Sequence, residues 1–142
     1  MYKFSDHDGF SLIEMLVVLA IMAILTMAAV PNYRHFVAKA HYFEVSQVGH
    51  SLRMMVEHCY QSQGSLDKCH AGHGGIPRDV SFHTDGLVKQ AKVLKRGVIH
   101  VVPKAKHGLK ASDDFKLVPR VSDGYLVWEL SGGAVANGYV DQ

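Results

Sequence analysis

The stretch Gly9-Phe10-Ser11-Leu12-Ile13-Glu14 opens an apolar run that continues to Val30-Pro31. Residues 10–30 make about 31 Å of α-helix at 1.5 Å per residue, enough to cross the hydrocarbon core of a bilayer. Inside that run stands a single charged side chain, Glu14. An acid in a membrane helix costs about 2.5–3.5 kcal/mol at mid-bilayer on insertion scales, so such a residue marks a functional position. Upstream lies a short polar leader containing Lys3, Asp6 and Asp8.

Two plainer roles compete. In a conventional secretory signal, Thr26-Met27-Ala28-Ala29 would be the small-residue cleavage region. The apolar run is about twice the usual length for that role, it carries a glutamate, and the leader sets only one lysine against two aspartates. An ordinary single-span anchor accounts for the length but leaves Glu14 without a reason.

G-F-S-L-I-E followed by an apolar helix and Pro31 resembles the class III signal of type IV pilins and their relatives. The resemblance implies that a prepilin peptidase cuts between Gly9 and Phe10, and that Phe10 becomes the N-methylated terminus. It also implies an assembly role for Glu14, whose partner is the terminal amine of a neighbouring subunit. Such an amine has a reference pKa of about 7.7–8.0 and is largely protonated at neutral pH. Pairing it with Glu14 removes two poorly solvated charges and sets the axial register of the subunits. The acidic leader departs from the Lys/Arg-rich pattern of the family.

The implied division is a leader over residues 1–9, a transmembrane and assembly helix over 10–30, and a periplasmic or extracellular head over 31–142 that includes the amphipathic second half of the helix. The implied partners are other copies in a helical filament, the inner membrane before assembly, the peptidase and the pilus assembly machinery. The implied precursor is a single-pass inner-membrane protein that later becomes an extracellular fibre for adhesion, twitching motility or DNA uptake. Rival readings are a type II secretion pseudopilin and a DNA-binding minor pilin. The first shares the leader, but the P-x-D-P-W-G-like stretch and calcium loop of major pseudopilins have no counterpart in the sequence. No cofactor or metal is expected.

The 142 residues carry a net charge of +2, which calls for no nucleic-acid role by itself. The length suits one soluble domain with a membrane-capable arm. Its modest core would benefit from added constraint. The two cysteines, Cys59 and Cys69, suggest a disulfide in an exported chain. Closing that ring contributes roughly 2–3 kcal/mol on the chain-entropy estimate. The pair, followed by Gly75-Ile76-Pro77, also resembles the C-x9-C and G-I-P of some pilins of gamma-proteobacterial type. His58-Cys59 and Cys69-His70-x-x-His73 offer an alternative set of zinc ligands, but zinc would need reduced thiols. The ten histidines raise the expectation that assembly responds to pH.

One long helix is predicted from Phe10 to about Gln61. Phe36, Ala40, Phe43, Val48, Leu52, Met55 and Cys59 form its expected apolar stripe, with Arg34, Lys39, Glu44, Gln47 and Arg53 on the other sides. Pro31 and Gly49 are expected to bend or loosen it. Gly64, Gly72, Gly74, Gly75 and Pro77 mark a long irregular connection. Phe115 to Val118 and Tyr125 to Leu130 alternate with period two, as half-buried strands do, and Val98 to Val102 is a β-branched run closed by Pro103. Residues 87–95 suit a helix or a strand, and the resemblance favours the strand. The expected fold is α+β: the pilin fold, with three or four antiparallel strands packed on the helical stripe. Trp128, Tyr125 and Phe115 are expected in the core.

Many type IVa pilins close a late surface loop with two cysteines. Here Glu129 follows the tryptophan and no late cysteine exists, so the tail Ser131 to Gln142 must be held by packing or be mobile. Lys89, Lys92, Lys95, Arg96, Lys104, Lys106 and Lys110 lie between Gly86 and Lys110 with no acid among them. They are the candidate contacts for DNA or another anion, a weak affinity that repetition along a filament would amplify. Nothing in the sequence resembles an enzyme site: no nucleophile motif and no glycine-rich phosphate loop is found.

Overall fold

The computed structural model describes residues 9–78 and 86–141. The expected leader, Gly9 apart, lies outside them. The chain divides between Arg34 and His35 into two compact units. A first helix, α1, runs from Leu12 to Gln63, 52 residues, and contributes to both.

In the first unit every described side chain is exposed, including Leu12, Ile24 and Met27. This is the segment with mean hydropathy 2.6, and it is long and apolar enough to cross a membrane. Two of its polar side chains bond within the helix. Thr26 Oγ1 donates to the Met22 carbonyl at 2.7 Å, and Asn32 Nδ2 to the Ala28 carbonyl at 3.4 Å. Such internal bonding is what a lipid-facing helix requires, because no water is there to serve instead. Pro31 lies within the helix and does not end it.

The second unit buries a different helical face from the one expected. Ala38, Tyr42, Val45, Gly49, Leu52, Val56 and Cys59 are buried, at alternating gaps of four and three. Only Leu52 and Cys59 belong to the predicted stripe. Phe36 and Phe43 stay 72% and 64% exposed, and Ala40 and Met55 also face solvent, while Val48 is half-buried. The greasiest residues suggest one phase, and packing against the sheet selects another. Gly49 shows why: a Cβ there would collide with the Phe115 ring. It does not interrupt the helix but lets the sheet approach it.

Four strands form an antiparallel meander in the order β1 (Val88–Val93), β2 (Ile99–Pro103), β3 (Phe115–Ser122) and β4 (Tyr125–Ser131). The ambiguous segment 87–95 is therefore β1, with a register shift between Val88 and Gln90. Ala91, Val93, Ile99, Val101, Phe115 and Leu117 join the helical face in one core. On β4 the inward residues Leu126, Trp128 and Leu130 are half-buried, and Tyr125 is 77% exposed, against the expectation of a core position. Tyr125 is the first residue of β4 and pairs with Ser122 beside the turn, where its side chain stays in solvent.

Cys59 and Cys69 form a disulfide. With both sulfurs bonded, the zinc alternative loses two of its ligands. The bridge fastens the irregular connection to α1, and Gly74 is required beside it because a side chain would strike Cys59 Sγ. The connection also reaches the sheet, where the Ala71 amide donates to the Val93 carbonyl at 3.0 Å.

Candidate processing and assembly site

Ser11 and Glu14 shape the start of α1. The Ser11 hydroxyl accepts from the Glu14 amide at 3.3 Å, and the Glu14 carboxylate accepts from the Ser11 amide at 2.8 Å. This is a capping box: Ser11 is the N-cap, Glu14 the third helical residue, and two orphan amides are satisfied reciprocally. The carboxylate also sits favourably at the positive end of the helix dipole. Gly9 and Phe10 precede the helix; Phe10 is 83% exposed, and no atom lies within 4 Å of where a Gly9 side chain would begin. The peptide bond between them thus lies outside the helix and open to solvent. In the sequence Glu14 stands out by its charge, whereas its capping role is signalled only by the S-x-x-E spacing.

In the head, the basic residues lie along the β1–β2 hairpin and at both its ends. Lys89 and Lys92 project from β1, Lys95 and Arg96 lie in the β1–β2 turn, and Lys104, Lys106 and Lys110 follow β2 at the other end of that hairpin. Register aligns Lys92 with His100 and His100 with Lys116, a residue absent from the sequence-based set. Its alternation with Phe115 and Leu117 is the signal that places it on the outer face.

The tail is held by packing, without a disulfide. Asp113, 1% exposed, accepts from the Lys110 amide at 2.7 Å and from Asn137 Nδ2 at 2.9 Å. Its carbonyl accepts from the Tyr42 hydroxyl at 2.8 Å. Burial, and then the charges of Asp113 and Asp114, push the Tyr42 phenol well above its ordinary pKa, which keeps it a neutral donor. Tyr139 stacks on Tyr42 and on His35, both at 5.4 Å, and burial and Asp113 raise its pKa as well. His35 Nε2 donates to the Asn137 carbonyl at 2.9 Å. Gly132 and Gly133 allow this closeness, since side chains there would strike the backbone of Asp114 and Ser112.

Next to it, Asp114 meets His100 at 2.7 Å. Partial burial raises the Asp114 pKa, but the hydrogen bonds from His100 and the Gly133 amide, with the charges of His100 and Lys116, outweigh it and hold the carboxyl below its ordinary value. At the open edge, Glu57 accepts from Trp128 Nε1 and from Arg53 Nε, both at 2.8 Å, and the Arg53 guanidinium lies 5.5 Å over the indole. These contacts tie β4 to α1 where apolar burial is incomplete.

A long helix with an apolar exposed start, packed in its second half on a four-stranded antiparallel meander, is a pilin-like α+β architecture. Residues 5–30 match the prokaryotic N-terminal methylation motif. Type IV pilins and fimbrial proteins are the relatives of this chain. It is 41% identical over 84 residues to prepilin peptidase-dependent protein D of Escherichia coli (strain K12), covering 59% of this chain and 58% of that one. It is 41% identical over 71 residues to type IV pilus subunit protein TapA of Aeromonas hydrophila, half of each chain. Against fimbrial protein EcpC of Eikenella corrodens, identity is 28% over 132 residues, 92% of this chain and 86% of the relative. The chain thus spans 58% and 50% of the first two relatives' lengths.

Proposed function

We propose that this protein is a structural subunit of a type IV pilus. The observation that carries the reading is a methylation motif over residues 5–30 laid on an apolar, fully exposed helical segment, in a chain with a pilin-like head. The precursor rests in the inner membrane as a single-pass protein. A prepilin peptidase cuts the exposed Gly9–Phe10 bond, Phe10 is N-methylated, and the apolar helices assemble into a filament core with the heads outside. On this reading residues 1–9 are removed, 10–30 form the assembly helix and 31–142 the head. Glu14 exchanges its cap on Ser11 for the terminal amine of an adjoining copy, which neutralises both charges and sets register.

Coexpression with a prepilin peptidase, followed by mass spectrometry of the amino terminus, tests the processing. The expected product begins at methylated Phe10; a product that retains residues 1–9 defeats the proposal. Glu14→Ala is expected to leave insertion intact and abolish fibres.

A second reading, contact with DNA or other polyanions, draws on the Lys92–His100–Lys116 register with Lys89, Lys95 and Arg96 nearby in sequence. A salt-dependent affinity for duplex DNA that falls in Lys92→Ala/Lys116→Ala would support it. An affinity indifferent to salt would exclude it.

A further inference from the structure

We propose that Asn137 is a site of spontaneous covalent modification, held inert by the folded tail and converted to aspartate or isoaspartate once the tail detaches. The chain has two asparagines, Asn32 and Asn137, and Asn137 alone is followed by glycine. With no side chain on Gly138, nothing hinders an attack by its backbone nitrogen on the Asn137 side-chain carbonyl carbon. The new C–N bond closes a five-membered succinimide while the bond to Nδ2 breaks, and ammonia leaves with the amide proton. Water then opens the ring. Attack at the side-chain carbon gives aspartate; attack at the main-chain carbon gives isoaspartate, whose backbone is one methylene longer.

The fold withholds both reactants. A second helix, α2 (Gly133–Ala136), ends in a Schellman motif. The Gly138 amide donates to the Val135 carbonyl at 3.1 Å and the Tyr139 amide to the Ala134 carbonyl at 2.9 Å. Gly138 takes the left-handed conformation that this ending requires, φ 68°. The attacking nitrogen is thus engaged. The leaving group is engaged too, since Asn137 Nδ2 donates to the buried Asp113 carboxylate at 2.9 Å. At Asn137 ψ is 2°, which swings the Gly138 nitrogen away from the side chain, whereas ring closure needs the two on the same side. The glycine that makes this helix ending possible is therefore the one that makes the open chain reactive.

The folded head has no place for the product. An aspartate at 137 sets a second carboxylate against Asp113 where a donor stood, and like charges at that distance oppose each other. Isoaspartate lengthens the main chain, so the carbonyl that accepts from His35 Nε2 and the amides of the Schellman motif no longer fit one geometry. Tyr139, stacked on Tyr42, follows in sequence and loses its placement with them. The modification records that the tail has opened and makes the opening irreversible.

The test is mass spectrometry of the peptide carrying Asn137 after the full-length protein is incubated in detergent at mildly alkaline pH, with and without urea. Conversion is read as the mass gained when an amide becomes a carboxyl. Asn137 should convert about tenfold or more faster in urea than in the folded protein, because the closed form reacts only through its opening. In urea it should also outpace Asn32, which precedes Tyr33. Without urea, Asp113→Ala and Tyr42→Phe should each speed conversion, with circular dichroism verifying that they fold; if Asp113→Ala does not, Tyr42→Phe makes the comparison. Asn137→Asp should lower the urea midpoint of the head. Equal rates with and without urea, no conversion at Asn137 in urea, or a wild-type rate in the folded variants overturns the proposal. The outcome is independent of whether the protein forms pili.

Discussion

The two parts of α1 treat leucine in opposite ways. Leu52, in the head, is 1% exposed, whereas Leu19, in the apolar arm, is 61% exposed. Both lie on the same helix, yet one has a sheet against it and the other has nothing against it among the described residues. A folded head satisfies itself; the arm leaves all its apolar surface to an outside partner. An exposed apolar surface of that extent marks a membrane or protein contact rather than a soluble surface.

Cutting the chain between the two parts should have the largest effect. A fragment beginning at His35 is expected to stay soluble without detergent and melt cooperatively, while the full chain requires detergent or lipid. Aggregation of the fragment would mean the head depends on the arm. Next in size is paired truncation. Leu52→Ala should destabilise the head by about 2–5 kcal/mol in urea unfolding. Leu19→Ala should leave that unfolding unchanged; an equal loss in both would erase the contrast.

Removing the disulfide with Cys59→Ser/Cys69→Ser should cost roughly 2–3 kcal/mol, detectable as a lower urea midpoint at constant slope. A smaller effect concerns pH. Because the folded Asp114 carboxyl is held below its unfolded value of about 3.9, its stabilisation is present above that value and is lost as pH falls through the folded one. Acid unfolding of Asp114→Asn should therefore be shallower than that of the wild type below about pH 4. Phe43→Ser, on the open helical face, should shift head stability by no more than about 0.5 kcal/mol. A large loss there would mean the face is covered within the subunit.

The same contrasts separate what is legible in the sequence from what is not. Strands β2, β3 and β4 announce themselves by β-branched runs and alternation, since successive side chains switch faces along a strand and not along a helix. The phase of the helix does not. Phe36 and Phe43 are more apolar than Tyr42 and Gly49, so a ranking by hydrophobicity selects them. The sheet instead needs a small residue beneath Phe115 and a hydroxyl able to reach the Asp113 carbonyl. The basic run is consecutive in the sequence, and the hairpin carries Lys95 and Arg96 at its turn and Lys104 at the other end. Glu14 is visible as a misplaced charge, while its bond to Ser11 is readable only as a spacing.

By itself, the order of residues determined a membrane-length helix with one carboxylate near its start, a cysteine pair in reach of one another, and a carboxyl half built of strands. Those features are local, written in composition and period over a few residues. Which helical face turns inward and how a tail without cysteines is held by Asp113 follow from contacts made across the fold. Each of those depends on groups distant in the chain, as Tyr42 and Asp113 are. Their pairing is settled by shape and by the need to satisfy buried polar atoms, for which no short stretch of sequence carries a signal.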